Sequence, residues 1–114
     1  MKIKKVVTCM AISAMLMTVS VPVNAYSVTN GSKTFKDAWE LSTTVDKGKG
    51  VLTYGYNTVA INEDYAHAYH STKGHYAYVK NSRGSFSGSN AKKGKTSKIE
   101  VRHKGSSITY GISY

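Results

Sequence analysis

An all-β domain is what this sequence predicts, and three observations carry it. From residue 26 onward the chain is rich in Ser, Thr, Gly and Tyr, a composition that favours strands and turns over helices. Two runs near the C-terminus alternate apolar and polar residues with period two, the spacing that buries one face of a strand. Clusters such as Asp46-Lys47-Gly48-Lys49-Gly50 and Lys104-Gly105-Ser106-Ser107 supply turns between strand candidates.

The first 25 residues read as a signal peptide. Lys2, Lys4 and Lys5 form a positive start, and Val6 to Val19 is apolar apart from Thr8, Ser13 and Thr18. That run is shorter than the roughly 20 residues a membrane span needs. Pro22 ends it, and Val23-Asn24-Ala25 offers small residues for cleavage before Tyr26. The expectation is a secreted, extracellular chain. No second apolar run follows, so no stable transmembrane insertion is expected.

Cleavage there removes Cys9, Pro22 and all four methionines. The remaining 89 residues carry thirteen basic and six acidic side chains, a net charge of +7. The charge is lopsided: residues 26–64 sum to −1 and residues 65–114 to +8. Val, Ile and Leu number only twelve in this part, so the nine tyrosines must share the packing. A chain this small supports one domain.

Residues 26–47 form an N-terminal extension of uncertain structure. Within it Phe35–Val45 reads as strand, although Asp37–Leu41 is compatible with a helical turn. Val51–Ile61 reads as strand, with Gly55 and Asn57 marking a bulge or bend. Gly74–Asn81 is a clear strand, with His75, Ala77 and Val79 on one face and Tyr76, Tyr78 and Lys80 on the other. Ser82 to Ser97 holds three glycines, five serines and four positive charges, with Phe86 its one large apolar residue. It reads either as a disordered surface loop or as a mobile cationic arm that orders on an anionic target. Lys98–Lys104 and Ile108–Tyr114 alternate cleanly, and the turn between them predicts a hairpin.

The cationic half points to an anionic partner: wall polymer, lipid head group or nucleic acid. No zinc finger, helix-turn-helix or aromatic RNA-binding motif is present, and export argues against nucleic acid. His67, His70 and His75 do not have the spacing of a metal site, since in a strand His67 and His70 point to opposite faces. A small secreted ribonuclease would draw on Glu63, Glu100, His67, His70, His75, His103, Arg83 and Arg102, but no local motif orders them. There is no Gly-x-Ser-x-Gly. No catalytic residue, cofactor or metal is therefore expected, and the chain reads as a non-enzyme.

One stretch is more specific. Tyr65, Tyr69, His70, Lys73, His75, Ala77 and Val79 stand in an order and spacing that resembles the lactococcin 972 family of secreted bacteriocins. Thr53-Tyr54-Gly55 is similar to that family's Tyr-Gly, and Ala91 to Ile99 to its Gly/Lys-rich approach to a strand. The likeness runs from Gly48 to Tyr114, about three-fifths of the chain. Two family tryptophans are absent, and the single Trp39 of this part lies upstream.

The resemblance implies a small antiparallel β-sandwich of two short sheets over residues 48–114. It implies a non-enzymatic antibacterial protein that acts at the envelope of related Gram-positive cells, through the wall precursor lipid II and septum building. The partner would be an anionic precursor or envelope polymer, with a dedicated ABC-type membrane protein for immunity or export. Tyr65, Tyr69, His70, Lys73, His75, Arg83, Lys92, Lys93 and Lys95 become the candidate target-binding residues. A ribonuclease-type toxin and a passive envelope-binding module are the alternatives.

Overall fold

Eight strands make up the computed structural model, which describes residues 22–114. Most of the expected signal peptide, residues 1–21, lies outside the described residues. The strands are β1 (Ala25–Thr29), β2 (Trp39–Val45), β3 (Gly50–Asn57), β4 (Glu63–His70), β5 (Tyr76–Asn81), β6 (Gly84–Ser87), β7 (Thr96–Arg102) and β8 (Thr109–Ser113). They form two four-stranded sheets, β1-β8-β5-β6 and β2-β3-β4-β7, in which every pairing is antiparallel. The all-β sandwich expected from the sequence is the fold observed.

The side chains that alternate inward meet between the sheets. Val45, Leu52, Tyr54, Ala66, Ala68 and Val101 come from one sheet, and Ala77, Val79, Tyr110 and Ile112 from the other. Ile108, just ahead of β8, completes this cluster, and Phe35, Trp39 and Phe86 pack against its edges. Tyrosine supplies volume that the few aliphatic residues cannot. The Tyr54 and Tyr110 rings lie 5.1 Å apart, and Trp39 meets both edge-on.

Residues 26–47 are integrated into both sheets. β1 pairs with β8 at the edge of one, and β2 pairs with β3 at the edge of the other. Just before β1, the Val23 and Asn24 amides both donate to the Tyr114 carbonyl, at 3.0 and 2.7 Å. Cleavage after Ala25 would leave Tyr26–Thr29 of β1 in place.

Three expectations are corrected. β7 and β8 do not form a hairpin: β7 pairs with β4, and β8 lies between β1 and β5 in the opposite sheet. Residues 103–108 cross between the sheets, and their polar groups are met by other loops. The His103 amide donates to the Asn62 carbonyl at 2.9 Å, and Asn30 takes the Ile108 amide at 3.0 Å. Alternation identifies the buried face of each strand but says nothing about which sheet receives it.

Second, Ser82–Ser97 is built into the fold rather than free. β6 pairs Phe86 with Val79, and Ala91 and His75 exchange backbone hydrogen bonds of 2.7 and 3.0 Å. Ser97 Oγ donates to the Ser89 carbonyl at 2.7 Å and accepts the Ala77 amide at 3.0 Å. Apart from the Ser97–Ser89 bond, these contacts run to residues 75–79, so the composition of the segment alone carries no trace of them.

Third, Gly55 marks no bulge, because β3 pairs residue for residue with β4. It is small because Tyr65, its partner across the ladder, reaches over it to donate to Glu40 Oε2 at 2.7 Å. A Cβ there would collide with the Trp39 carbonyl and lie 2.8 Å from the Tyr65 hydroxyl oxygen.

The core holds one polar misfit. The Tyr110 hydroxyl is fully buried with no hydrogen-bond partner among the described residues. Burial pushes its ionisation far above the ordinary tyrosine range, with the nearby Asp64 charge adding to the shift. Tyr110→Phe is therefore expected to raise stability by about 1–2 kcal/mol, because it removes an unsatisfied buried polar group without changing shape. Thermal or urea unfolding of the two proteins checks this, and a clear loss of stability would show that the hydroxyl has a partner.

Candidate functional site

One end of the sandwich gathers three cation-bearing loops. The β2–β3 turn brings Lys47 and Lys49, the β4–β5 connection Lys73, and the β6–β7 connection Lys92, Lys93 and Lys95. All six lysines are exposed. Among the described residues, Lys73 alone of the six lies within ion-pair distance of a carboxylate, its Nζ 3.5 Å from Asp46 Oδ2. Like charges in three separate loops repel, so the loops need internal ties.

Two buried histidines provide those ties. His70 ends β4 facing inward. Its Nδ1 accepts the Thr72 and Lys73 amides at 3.1 and 3.0 Å, which leaves the ring hydrogen on Nε2. Nε2 then donates to Asp46 Oδ2 at 2.8 Å, joining the β4–β5 connection to the β2–β3 turn. His75 sits 6.3 Å away, ring to ring. Its Nδ1 lies 2.9 Å from the Lys73 carbonyl and its Nε2 2.7 Å from the Lys95 carbonyl. The site thus offers two acceptors to one ring, and ties the β4–β5 connection to the β6–β7 connection. Backbone bonds add to this: Ser71 donates to the Lys49 carbonyl and Gly94 to the His70 carbonyl, both at 2.8 Å. Tyr114 closes the end, stacked on His70 at 5.2 Å with Lys73 Nζ over its ring at 5.4 Å.

Of the nine residues proposed from the sequence, six meet here: His70, Lys73, His75, Lys92, Lys93 and Lys95. His70 and His75 are fully buried, so they position the loops while the lysines face solvent. Tyr69 lies beside them on the outer face of its sheet, across the ladder from Val51 and Thr96. Tyr65 and Arg83 are elsewhere. Tyr65 is engaged with Glu40, and burial together with that hydrogen bond pushes its hydroxyl far above the ordinary tyrosine range. Arg83 lies in the β5–β6 turn, where its amide donates to Asn81 Oδ1 at 2.7 Å. Sequence reasoning missed Asp46, Lys47, Lys49 and Tyr114. The turn composition at 46–50 was visible, but not its neighbours. Among the described residues no group of His, Cys, Asp and Glu side chains comes together to hold a metal.

A second surface lies on the outer face of the β1-β8-β5-β6 sheet. Tyr76 and Tyr78 stand side by side, ring centroids 6.4 Å apart, in a trough shared with Ala25, Ser85, Ser87 and Ser113. The Tyr78 ring lies directly over Gly111, where any Cβ would strike it. Such flat rings suit stacking against a sugar.

Asp46 couples the cationic end to pH. The His70 hydrogen bond holds its carboxyl below the usual carboxylate range, aided by the Lys73 charge and opposed by partial burial. A depressed carboxyl stabilises the fold above its unfolded value and loses that contribution as pH falls through the folded one. The melting-temperature gap between the unaltered protein and Asp46→Asn is therefore expected to be open at neutral pH and to close as pH drops below about 4. Thermal unfolding across that range tests it, and a gap that does not change with pH would remove Asp46 from the account.

Comparison with protein-family models, with curated proteins and with solved structures finds no match. Among the described residues no helix is long and apolar enough to cross a membrane.

Proposed function

We propose that the chain is a secreted, cationic antibacterial protein of the lactococcin 972 type. It acts at the envelope of related Gram-positive bacteria by binding the anionic wall precursor lipid II, and so blocks septum formation without turnover of a substrate. The observation that carries this reading is the convergence of Lys47, Lys49, Lys73, Lys92, Lys93 and Lys95 on loops tied together by buried His70 and His75. An array of exposed ammonium groups on tied loops suits a pyrophosphate, because the loops that carry them are held together before the ligand arrives. The Tyr76–Tyr78 trough offers a stacking face to the sugars of the same target. The resemblance over Tyr65 to Val79 supports the family. An ABC-type membrane protein for immunity or export is part of the same proposal.

The test is growth inhibition of related bacteria by purified residues 26–114, with septum staining and nucleic-acid integrity followed together. Septal defects with intact RNA and DNA support the proposal. Degraded nucleic acid would favour the ribonuclease alternative, and salt-sensitive wall binding without inhibition a passive module. Lys92→Ser/Lys93→Ser/Lys95→Ser is expected to weaken binding to lipid II vesicles by about 10- to 100-fold at low salt, with its salt dependence flattened. Stability should hardly change, since these side chains are exposed. Unaltered low-salt binding by the triple variant would remove this end as the contact.

A further inference from the structure

At the opposite end from the lysine loops, His103 faces an open cavity of about 470 Å³. Lys33, Thr34, Phe35, Lys36, Gly105 and Ser106 complete its lining. His103 is fixed from behind. Its Nδ1 lies 2.8 Å from Oδ1 of Asp64, a carboxylate with no solvent exposure, which also takes Asn81 Nδ2–H at 2.9 Å on Oδ2. Phe35 stacks on the imidazole at 4.2 Å, and Tyr56 meets it edge-on at 5.1 Å. With Nδ1 committed to Asp64, Nε2 is the ring nitrogen left without a protein partner among the described residues. It is not among their buried unpaired atoms, so it reaches solvent.

The walls are as firmly set as the floor. Asn30, itself buried, pins both loops that line the cavity. It exchanges bonds with Lys33, its Nδ2 donating to the Lys33 carbonyl and its carbonyl accepting the Lys33 amide, each at 2.9 Å. The same Nδ2 donates to the Ser106 carbonyl at 3.3 Å, and Oδ1 accepts the Ile108 amide. Trp39 Nε1 adds a bond to the Thr34 carbonyl at 2.9 Å. The one acid on the first loop, Asp37, is not among the lining residues.

We infer that this cavity is a binding site for a phosphoryl oxyanion, separate from the lysine-rich end. Lys33 and Lys36 line it, and their exposed side chains are free to turn their ammonium groups toward an anion held there. His103 as imidazolium donates Nε2–H to the anion while Asp64 balances its charge from behind. The same carboxylate–histidine arrangement orients the ring, so the donor does not have to be reorganised on binding. Phe35 gives the site an apolar wall, which suits a phosphate ester with an apolar body over a bare ion. The inference does not depend on the antibacterial reading.

The experiment is an NMR titration of the folded protein with inorganic phosphate and with phenyl phosphate, following the His103 Hε1 resonance. A saturable shift of that proton is expected with both, at lower concentration for phenyl phosphate. Lys33→Ser/Lys36→Ser, two exposed positions, should weaken both by about tenfold or more, and Lys92→Ser/Lys93→Ser/Lys95→Ser should leave them unchanged. Tighter binding of inorganic phosphate would identify the free ion as the ligand. A non-saturating shift, or equal affinity in the Lys33→Ser/Lys36→Ser protein, would overturn the site.

Discussion

Asp64→Ala is expected to cost about 3–5 kcal/mol, a large share of the roughly 5–15 kcal/mol that holds a domain folded. Asp64 points into the sandwich from β4 and has no solvent exposure. Its two oxygens serve His103 on the β7–β8 connection and Asn81 at the end of β5. Asn81 also donates to the Arg102 carbonyl at 3.0 Å, so one carboxylate organises parts of both sheets. Alanine would leave an imidazole and an amide without their acceptor and open a void between them. Asp64→Asn keeps the shape and one acceptor, and should fall between the two. Urea unfolding of the three proteins checks the order, and an alanine variant within 1 kcal/mol of the starting protein would show that this network is dispensable.

Ile112→Ala is expected to cost about 2–5 kcal/mol, and Ile99→Ala distinctly less. Both residues sit on the apolar side of an alternating run, but their strands have different fates. β8 lies between β1 and β5, and Ile112 is fully buried opposite Tyr26 and Ala77. β7 is an edge strand, and Ile99 is half-buried beside Ala66. Removal of three carbons from Ile112 leaves a cavity that its neighbours cannot close, while water reaches the gap at Ile99. Equal losses at the two positions would contradict the placement of β7 at an edge.

Much of the site was legible as composition. Lys73, Lys92, Lys93 and Lys95 stand out as charges without acidic neighbours in the chain, and they do converge. Lys47 and Lys49 were not legible, because what brings them in is the His70–Asp46 bond between residues 24 positions apart. His70 and His75 looked like contact residues beside tyrosines and a lysine. Strand parity turns both inward, where each ring satisfies loop backbone instead. The Asp64–His103–Asn81 network was invisible for the same reason, since its members come from three separate segments.

Period-two alternation and the scarcity of aliphatic side chains determined an all-β chain, its strand faces and its reliance on tyrosine, because these are properties of neighbours along the backbone. Which strands pair, that β7 and β8 part into opposite sheets, and which loops share an end were decided only when two sheets closed over one core. Side-chain parity is local, whereas the partners that satisfy a buried carboxylate, a buried imidazole or a strand edge come from distant residues.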